Sequence, residues 1–166
     1  MTIEIEIVTG EPAWPLVKPL FDMVQPSGLV DLARPDLRVI VEADEQPVCH
    51  VGLHRRDGIW RGRKIRIGGI GGVVTHPDFR RQGLASIALD AALHTLREER
   101  SNDFALVLSE PALAGFFISR NWKPFMGELY AEQRSTRVRF DARQPLVYYI
   151  KRAPHEGELD LCGLPW

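Results

Sequence analysis

The segment that most restricts the fold is "RKIRIGGIGGVVTHPDFRRQGLASIALDAALHTLREER", Arg63 to Arg100, because one periodicity gives way to another within it. Up to His76 the residues read as a strand. From Gly83 onward Ala85, Ala88, Leu89, Ala92, Leu93 and Leu96 recur at three- and four-residue spacing, the stripe of an amphipathic helix that closes in the charged "REER". A strand that feeds a helix through a short loop returns the helix to the sheet surface, so the chain is committed to a sheet with helices on its faces.

The flanking segments fit that plan. "IEIEIV", Ile3 to Val8, alternates as a half-buried strand, and "PAWPLVKPLFDMVQPSGLVDLARPD" predicts a pair of short, proline-interrupted helices. "LRVIVEAD" and "PVCHVGLHRR", joined by "DEQ", are strand-like, and Asp57-Gly58 predicts a second hairpin before Arg63, giving three successive antiparallel strands. "FALVLS" reads as a buried strand and "PALAGFFISRNW" as a short helix opened by proline and ending near Asn121. "STRVRF" and "PLVYYIKR" supply two late strands, while the tail 153–166, "APHEGELDLCGLPW", carries no assigned element. The expected class is α/β (α+β), a mixed, mostly antiparallel sheet flanked by helices.

A chain of 166 residues has room for one domain with a real core, taken here as 1–166. With 45% hydrophobic and 26% charged residues it has the composition of a soluble globular protein, and no apolar run approaches the roughly 18 residues of a membrane helix. The opening "MTIEIEIVTG" lacks the basic start and continuous apolar stretch of a secretory signal, so the expectation is cytoplasmic, without a membrane partner. The balance of 21 basic and 22 acidic residues argues against a nonspecific nucleic-acid binder. Cys49 and Cys162 lack a CxxC partner, so they read as free thiols, with no zinc site and no other metal signalled.

Glycine beside arginine suggests a phosphate site. The Walker frame GxxxxGK[ST] is absent, and so is the third glycine of a dinucleotide fingerprint. What remains is Arg80, Arg81, Gln82, Gly83, Leu84 and Ala85, between a strand and the long helix, where free N–H groups and the positive helix end converge on one point. Gly83 and Ala85 are small enough for close approach, and the arginines add charge-assisted contacts. The upstream run Gly68 to Gly72 reads instead as a bulge or close backbone approach that splays the strand from its neighbour.

"VVTHPDFRRQGLA" resembles the GCN5-related N-acetyltransferase (GNAT) superfamily signature [QR]xxGx[GA], matched at Arg80, Gly83 and Ala85 with strand and helix in the corresponding places. The resemblance implies acetyl-CoA as donor, its pyrophosphate on that loop and its pantetheine arm paired with the backbone of Val73, Val74 and Thr75. It also implies a sheet splayed between the strand ending near Thr75 and the strand ending near Ser109. "LAGFFISRNWKPF" is similar to the family's AxxFYxxxGF at Phe116, Phe117 and Trp122. Phe117, assigned to the cofactor site, stands where many members carry a proton-donating tyrosine, and a phenyl ring has no proton to give. Asn121 replaces a glycine that asparagine can mimic.

The implied reaction is direct attack of a small-molecule primary amine on the thioester in a ternary complex. The carboxylate that family members often carry near Gly71 is missing. Glu110 is the substitute base, with first-turn charge for the following helix as its other reading; His76, at the strand end, is a second candidate, or simply exposed. His50 and His54 share one strand face, with no carboxylate placed to orient them, and read as core or surface residues or as lining of the acceptor cleft. Cys49 reads as a small core residue rather than a nucleophile. Gly71, Gly72 and Trp166 are assigned to the acceptor. The acidic tail with Glu156, Glu158 and Asp160 either folds over the cleft to bind a cationic amino sugar or polyamine, or frays. The strand-loop-helix stretch, "SRNW" and the Trp-ended tail look somewhat like aminoglycoside 2'-N-acetyltransferases, with a fainter likeness to nodulation-type acyltransferases. Arg134, Arg137, Arg139 and Arg143 read as the solvated face of an edge strand. The competing expectation is a non-catalytic acyl-CoA-binding or regulatory domain, and a homodimer is left open.

Overall fold

The computed structural model describes residues 1–24 and 31–166. Ten strands, β1 (Ile3–Thr9), β2 (Leu37–Ala43), β3 (Gln46–Trp60), β4 (Arg63–Thr75), β5 (Phe104–Ser109), β6 (Lys123–Pro124), β7 (Glu128–Gln133), β8 (Thr136–Arg139), β9 (Gln144–Tyr149) and β10 (Glu158–Asp160), form one sheet. Three helices accompany it, α1 (Trp14–Val24), α2 (Leu84–Glu98) and α3 (Pro111–Ile118). The order is β6-β9-β5-β4-β3-β10-β7-β8, with β2 and then β1 added along the first half of β3. Pairing is antiparallel except between β4 and β5 and between β10 and β7. The expected mixed, mostly antiparallel α/β class is therefore correct.

Alternation along β4 sends its side chains to two different cores. Ile70 joins Val51, Leu53, Leu89, Leu93 and Leu96 under α2, with Phe117 and Trp122 from the α3 region. Ile65 and Ile67 face the opposite layer, where Phe104, Leu106, Leu159, Leu161 and Trp166 pack beside the β7–β8 hairpin. The sheet is covered on both sides, which explains why β5 is buried throughout and apolar from Phe104 to Leu108.

Three expectations need correction. Asp57 and Gly58 do not turn; they pair with Arg66 and Ile65 inside the ladder, and the reversal falls at Arg61-Gly62, both at positive φ (50° and 76°), as a tight hairpin with a right-handed twist requires. Gly58 is small for another reason: a Cβ there would lie 2.8 Å from the Asp160 carbonyl. The predicted helix pair is a single described helix, α1, with Pro19 inside it; the second falls partly on residues 25–30, outside the described residues, and residues 31–36 form no helix. The tail does not fray. Its β10 wedges between β3 and β7, burying Leu159, Leu161 and Trp166. β6 and β7 were not anticipated because two residues, or the polar-flanked pair Leu129 and Ala131, leave too little pattern to read.

β8 is a terminal strand of the sheet, as its arginines suggest, and Arg137 pairs with Glu158 and Asp160 at 2.7 and 2.6 Å. No helix among the described residues is long and apolar enough to cross a membrane.

Candidate active site

The parallel pairing of β4 with β5 covers Ile67–Ile70 against Phe104–Val107 and stops there. Beyond it, Gly71 to Thr75 turn one backbone edge to an open gap while the other edge stays paired with β3. The cause is a bulge: Gly52 pairs with Gly71 but His50 with Val74, so Gly72 and Val73 together oppose Val51, and Gly72 takes φ 55°. The splay expected between Thr75 and Ser109 is present, and Val73, Val74 and Thr75 lie along its free edge.

That edge runs into a short 3-10 turn, Pro77–Phe79, and a loop in which Arg81 and Gly83 adopt left-handed geometry, φ 63° and 77°. Gly83 caps α2 without a side-chain hydrogen bond, so the first N–H groups of the helix remain free. Arg80, Arg81, Gln82 and Gly83 are exposed, and a Cβ on Gly83 would meet nothing within 4 Å. Leu84 is buried and holds the helix on its core rather than facing a ligand; Ala85 is half-buried above it. From the end of α3, Arg120 reaches the same helix start and donates through Nε to Ser86 Oγ at 3.2 Å. Neither Arg80, Arg81 nor Arg120 has a carboxylate partner among the described residues. Free amides, open space and unpaired guanidinium groups fit a diphosphate.

On the other side of β4 a cavity of about 300 Å³ opens among Trp14, Phe21, Arg38, His50, His54, Gly71, Gly72 and Trp166. An always-protonated Arg38 donates to His50 Nε2 at 3.0 Å, which leaves the His50 proton on Nδ1, donated to the Gly72 carbonyl at 2.6 Å. This hydrogen bond ties the bulge to β3. Burial holds His50 neutral, with its pKa pushed down to about 4. His54 stacks on Trp166 with ring centroids 5.5 Å apart, and burial followed by the Arg56 charge lowers its pKa to about 3. The Trp166 indole N–H donates to the Leu106 carbonyl at 3.0 Å, and Arg56 lies over its ring.

The glycine run now has physical reasons. A Cβ on Gly69 would come within 2.5 Å of the Trp166 ring, and one on Gly71 within 3.1 Å of the Trp166 main-chain carbon and 3.5 Å of His54 Nε2. Gly68 makes room for Leu96. Only Gly72 bends the strand, so the bulge is narrower than the run that suggested it.

A profile of the acetyltransferase (GNAT) domain family matches residues 25–125, more than half of the chain. The chain belongs to the GNAT acetyltransferase family. It is 32% identical over 80 residues to an aminoglycoside 2'-N-acetyltransferase of Mycolicibacterium fortuitum; the match covers 48% of this chain and only 40% of that relative's length. Among solved structures, a GNAT family acetyltransferase from Brucella melitensis in complex with acetyl-CoA superposes with TM-score 0.60 at 13% identity, covering 94% of each chain. Escherichia coli ElaA superposes with TM-score 0.60 at 12% identity, covering 88% of this chain and 98% of that one. At these identities the two structures establish the shared fold.

Within this GNAT fold several site expectations shift. Phe117 is sealed in the core at 1% exposure, edge-on to Phe116 and Trp122, and so presents no face to the slot. His76 is buried, and its Nδ1 accepts the Asp78 N–H at 3.1 Å to cap the 3-10 turn. Glu110 starts α3 and lies 3.6 Å from Arg143; neither it nor His76 lines the cavity. Glu158 and Asp160 are held by Arg137, and Glu156 lies 3.4 Å from Arg61, so the tail contributes Trp166 and not its acids. Burial raises the Cys49 thiol pKa, in keeping with a core residue. Arg38, Trp14, Phe21 and Arg120 were missed, since α1, β2 and the end of α3 bring them in from different parts of the chain. Only the shared strand face of His50 and His54 hinted at their place.

Proposed function

We propose that this GNAT chain transfers the acetyl group of acetyl-CoA to the primary amine of a small molecule by direct attack. The observation that carries the reading is the unpaired β4 edge, Gly71 to Thr75, leading into a helix start surrounded by unpaired arginines, with a separate cavity on its far side. Two substrates can therefore meet at the gap. The β4 edge from Val73 to Thr75 holds the pantetheine arm, and the amides after Gly83 with Arg80, Arg81 and Arg120 hold the phosphates.

In the reaction the amine nitrogen forms a bond to the thioester carbon, the C–S bond breaks, and the amine proton passes to the leaving sulfur. The residues beside Gly71 receive the amine. The His54 ring has no hydrogen-bond partner among the described residues and, being neutral, offers an acceptor, while the Trp166 main-chain carbon, which carries its oxygen, lies 3.1 Å from where a Cβ on residue 71 would stand. Together they stand in for the missing carboxylate as hydrogen-bond acceptors that orient the nitrogen lone pair. With a phenyl ring at residue 117, the leaving sulfur takes its proton from the attacking amine itself. The relative's printed activity, N-acetylation of an aminoglycoside, supports an amine acceptor.

Calorimetry with acetyl-CoA, followed by a free-thiol assay across polyamines, amino sugars and amino acids, tests the proposal. Binding and acceptor-dependent CoA release are expected; binding with no turnover of any amine would favour a non-catalytic acyl-CoA receptor. Arg81→Ala is expected to weaken CoA by about tenfold or more, the value of one charge-assisted contact, and to leave pantetheine almost unaffected. Equal loss for both ligands would remove the phosphate assignment.

A further inference from the structure

The side chains that line the acceptor cavity include two arginines, Arg34 and Arg38, against one glutamate, Glu11. Arg38 is 4% exposed. It donates through Nε to the Gly10 carbonyl at 2.7 Å and through one terminal nitrogen to His50; its other terminal nitrogen has no partner among the described residues. It forms no ion pair there either. Glu11 is the acidic side chain among the lining residues described; it acts on Arg38 through space, while its ion-pair contact, at 2.8 Å, is with Arg34. His50 and His54 add no negative charge. Arg38 also lies over the Trp14 ring at 5.2 Å, so a guanidinium whose direct partners are neutral groups, with one terminal nitrogen free, forms part of the cavity wall.

The remaining walls are flat and apolar. Trp14 lies against Phe21 with centroids 5.5 Å apart, Phe21 meets His50 edge-on at 4.9 Å, and Trp166 closes the β4 end. A volume of about 300 Å³ is at the lower end of the roughly 300–1,000 Å³ range of small-molecule pockets. Such a space suits one ring and a short polar appendage.

Resting on the acetyltransferase reading above, we propose that the acceptor is an aromatic amine that itself carries a carboxylate, of the aromatic amino-acid class, with its ring among Trp14, Phe21 and Trp166 and its carboxylate on Arg38. The amine then points to Gly72 and the gap in the sheet, because Arg38 and the bulge are linked through a single imidazole. A polycationic amino sugar would add like charge beside Arg34 and Arg38 and leave the free nitrogen of Arg38 without an acceptor.

The test compares each acid with its decarboxylated twin in the acetyl-CoA thiol-release assay: phenylalanine against 2-phenylethylamine, tryptophan against tryptamine, with spermidine and kanamycin alongside. The acids are expected to show kcat/KM at least about tenfold above their twins and above both polycations, the value of one charge-assisted pair. Arg38→Met is expected to erase the preference while the protein still binds acetyl-CoA. Where that variant does not fold, the wild-type twin comparison decides alone; where no acceptor turns over, calorimetric binding of phenylalanine and tryptophan to the CoA-loaded protein decides. Equal or better use of the twins or the polycations, or no binding of either acid, overturns the proposal and leaves the acetyltransferase reading standing. Failure to bind acetyl-CoA overturns that reading instead.

Discussion

At the scale of single residues, what a glycine is for depends on what faces it. Gly69 and Gly83 make the contrast. Gly69→Ala would drive a methyl into the Trp166 ring, 2.5 Å away, and is expected to cost about 1–3 kcal/mol of stability in urea unfolding while widening the acceptor KM. Gly83→Ala meets open space but must hold φ 77°, so about 1–2 kcal/mol of backbone strain is expected, with CoA affinity rather than acceptor KM affected. If the two variants shift the same kinetic parameter, the division of β4 and its loop between acceptor and donor is wrong. The "GGIGG" run was legible in the sequence as close approach. That the approaching group is Trp166 was not, because the two meet only after β10 has joined the sheet.

At the scale of elements, short strands carry weight that their sequence conceals. β10 is three residues long, yet Leu159 is fully buried between β3 and β7 and Trp166 follows from its end. Leu159→Ala is expected to cost about 2–5 kcal/mol by denaturant titration and to weaken acceptor use by loosening Trp166. Arg137→Ala, in β8 on the far side of β7, breaks two solvent-open ion pairs and is expected to move the denaturation midpoint far less than Leu159→Ala. A larger effect for Arg137 than for Leu159 would mean that charge, and not burial, seats the tail. The long helix α2 and strands β4 and β5 were readable because each repeats its pattern over enough residues. The hairpin was misplaced because Asp57-Gly58 has turn chemistry, and the glycine is spent instead on the passage of β10.

At the scale of the molecule, the proposed donor edge and acceptor cavity meet at β4, and two buried neutral histidines line the cavity there. His50 and His54 have folded pKa values of about 4 and about 3 against an ordinary value of 6.5. As pH falls below 6.5 the unfolded chain takes up these protons first, so the folded state loses stability from there down to pH 3–4. The expected slope is about 1.4 kcal/mol per pH unit for each histidine. Urea midpoints measured at pH 7, 6 and 5 check this, and His54→Gln is expected to remove about half of the dependence attributable to the pair. A midpoint that does not move between pH 7 and 5 would contradict the burial of both rings.

The local code of the chain determined the strand-loop-helix unit, the phosphate-ready start of α2 and the class of fold, because hydrophobic period, a capping glycine and adjacent arginines act over a few residues. The tertiary structure alone decided the acceptor side. Arg38, His50 and His54 come from the consecutive strands β2 and β3, Trp166 from the far end of the chain, and the neutral state of the two histidines depends on their burial. Burial of this kind is a property of the assembled sheet, and no stretch of sequence carries it.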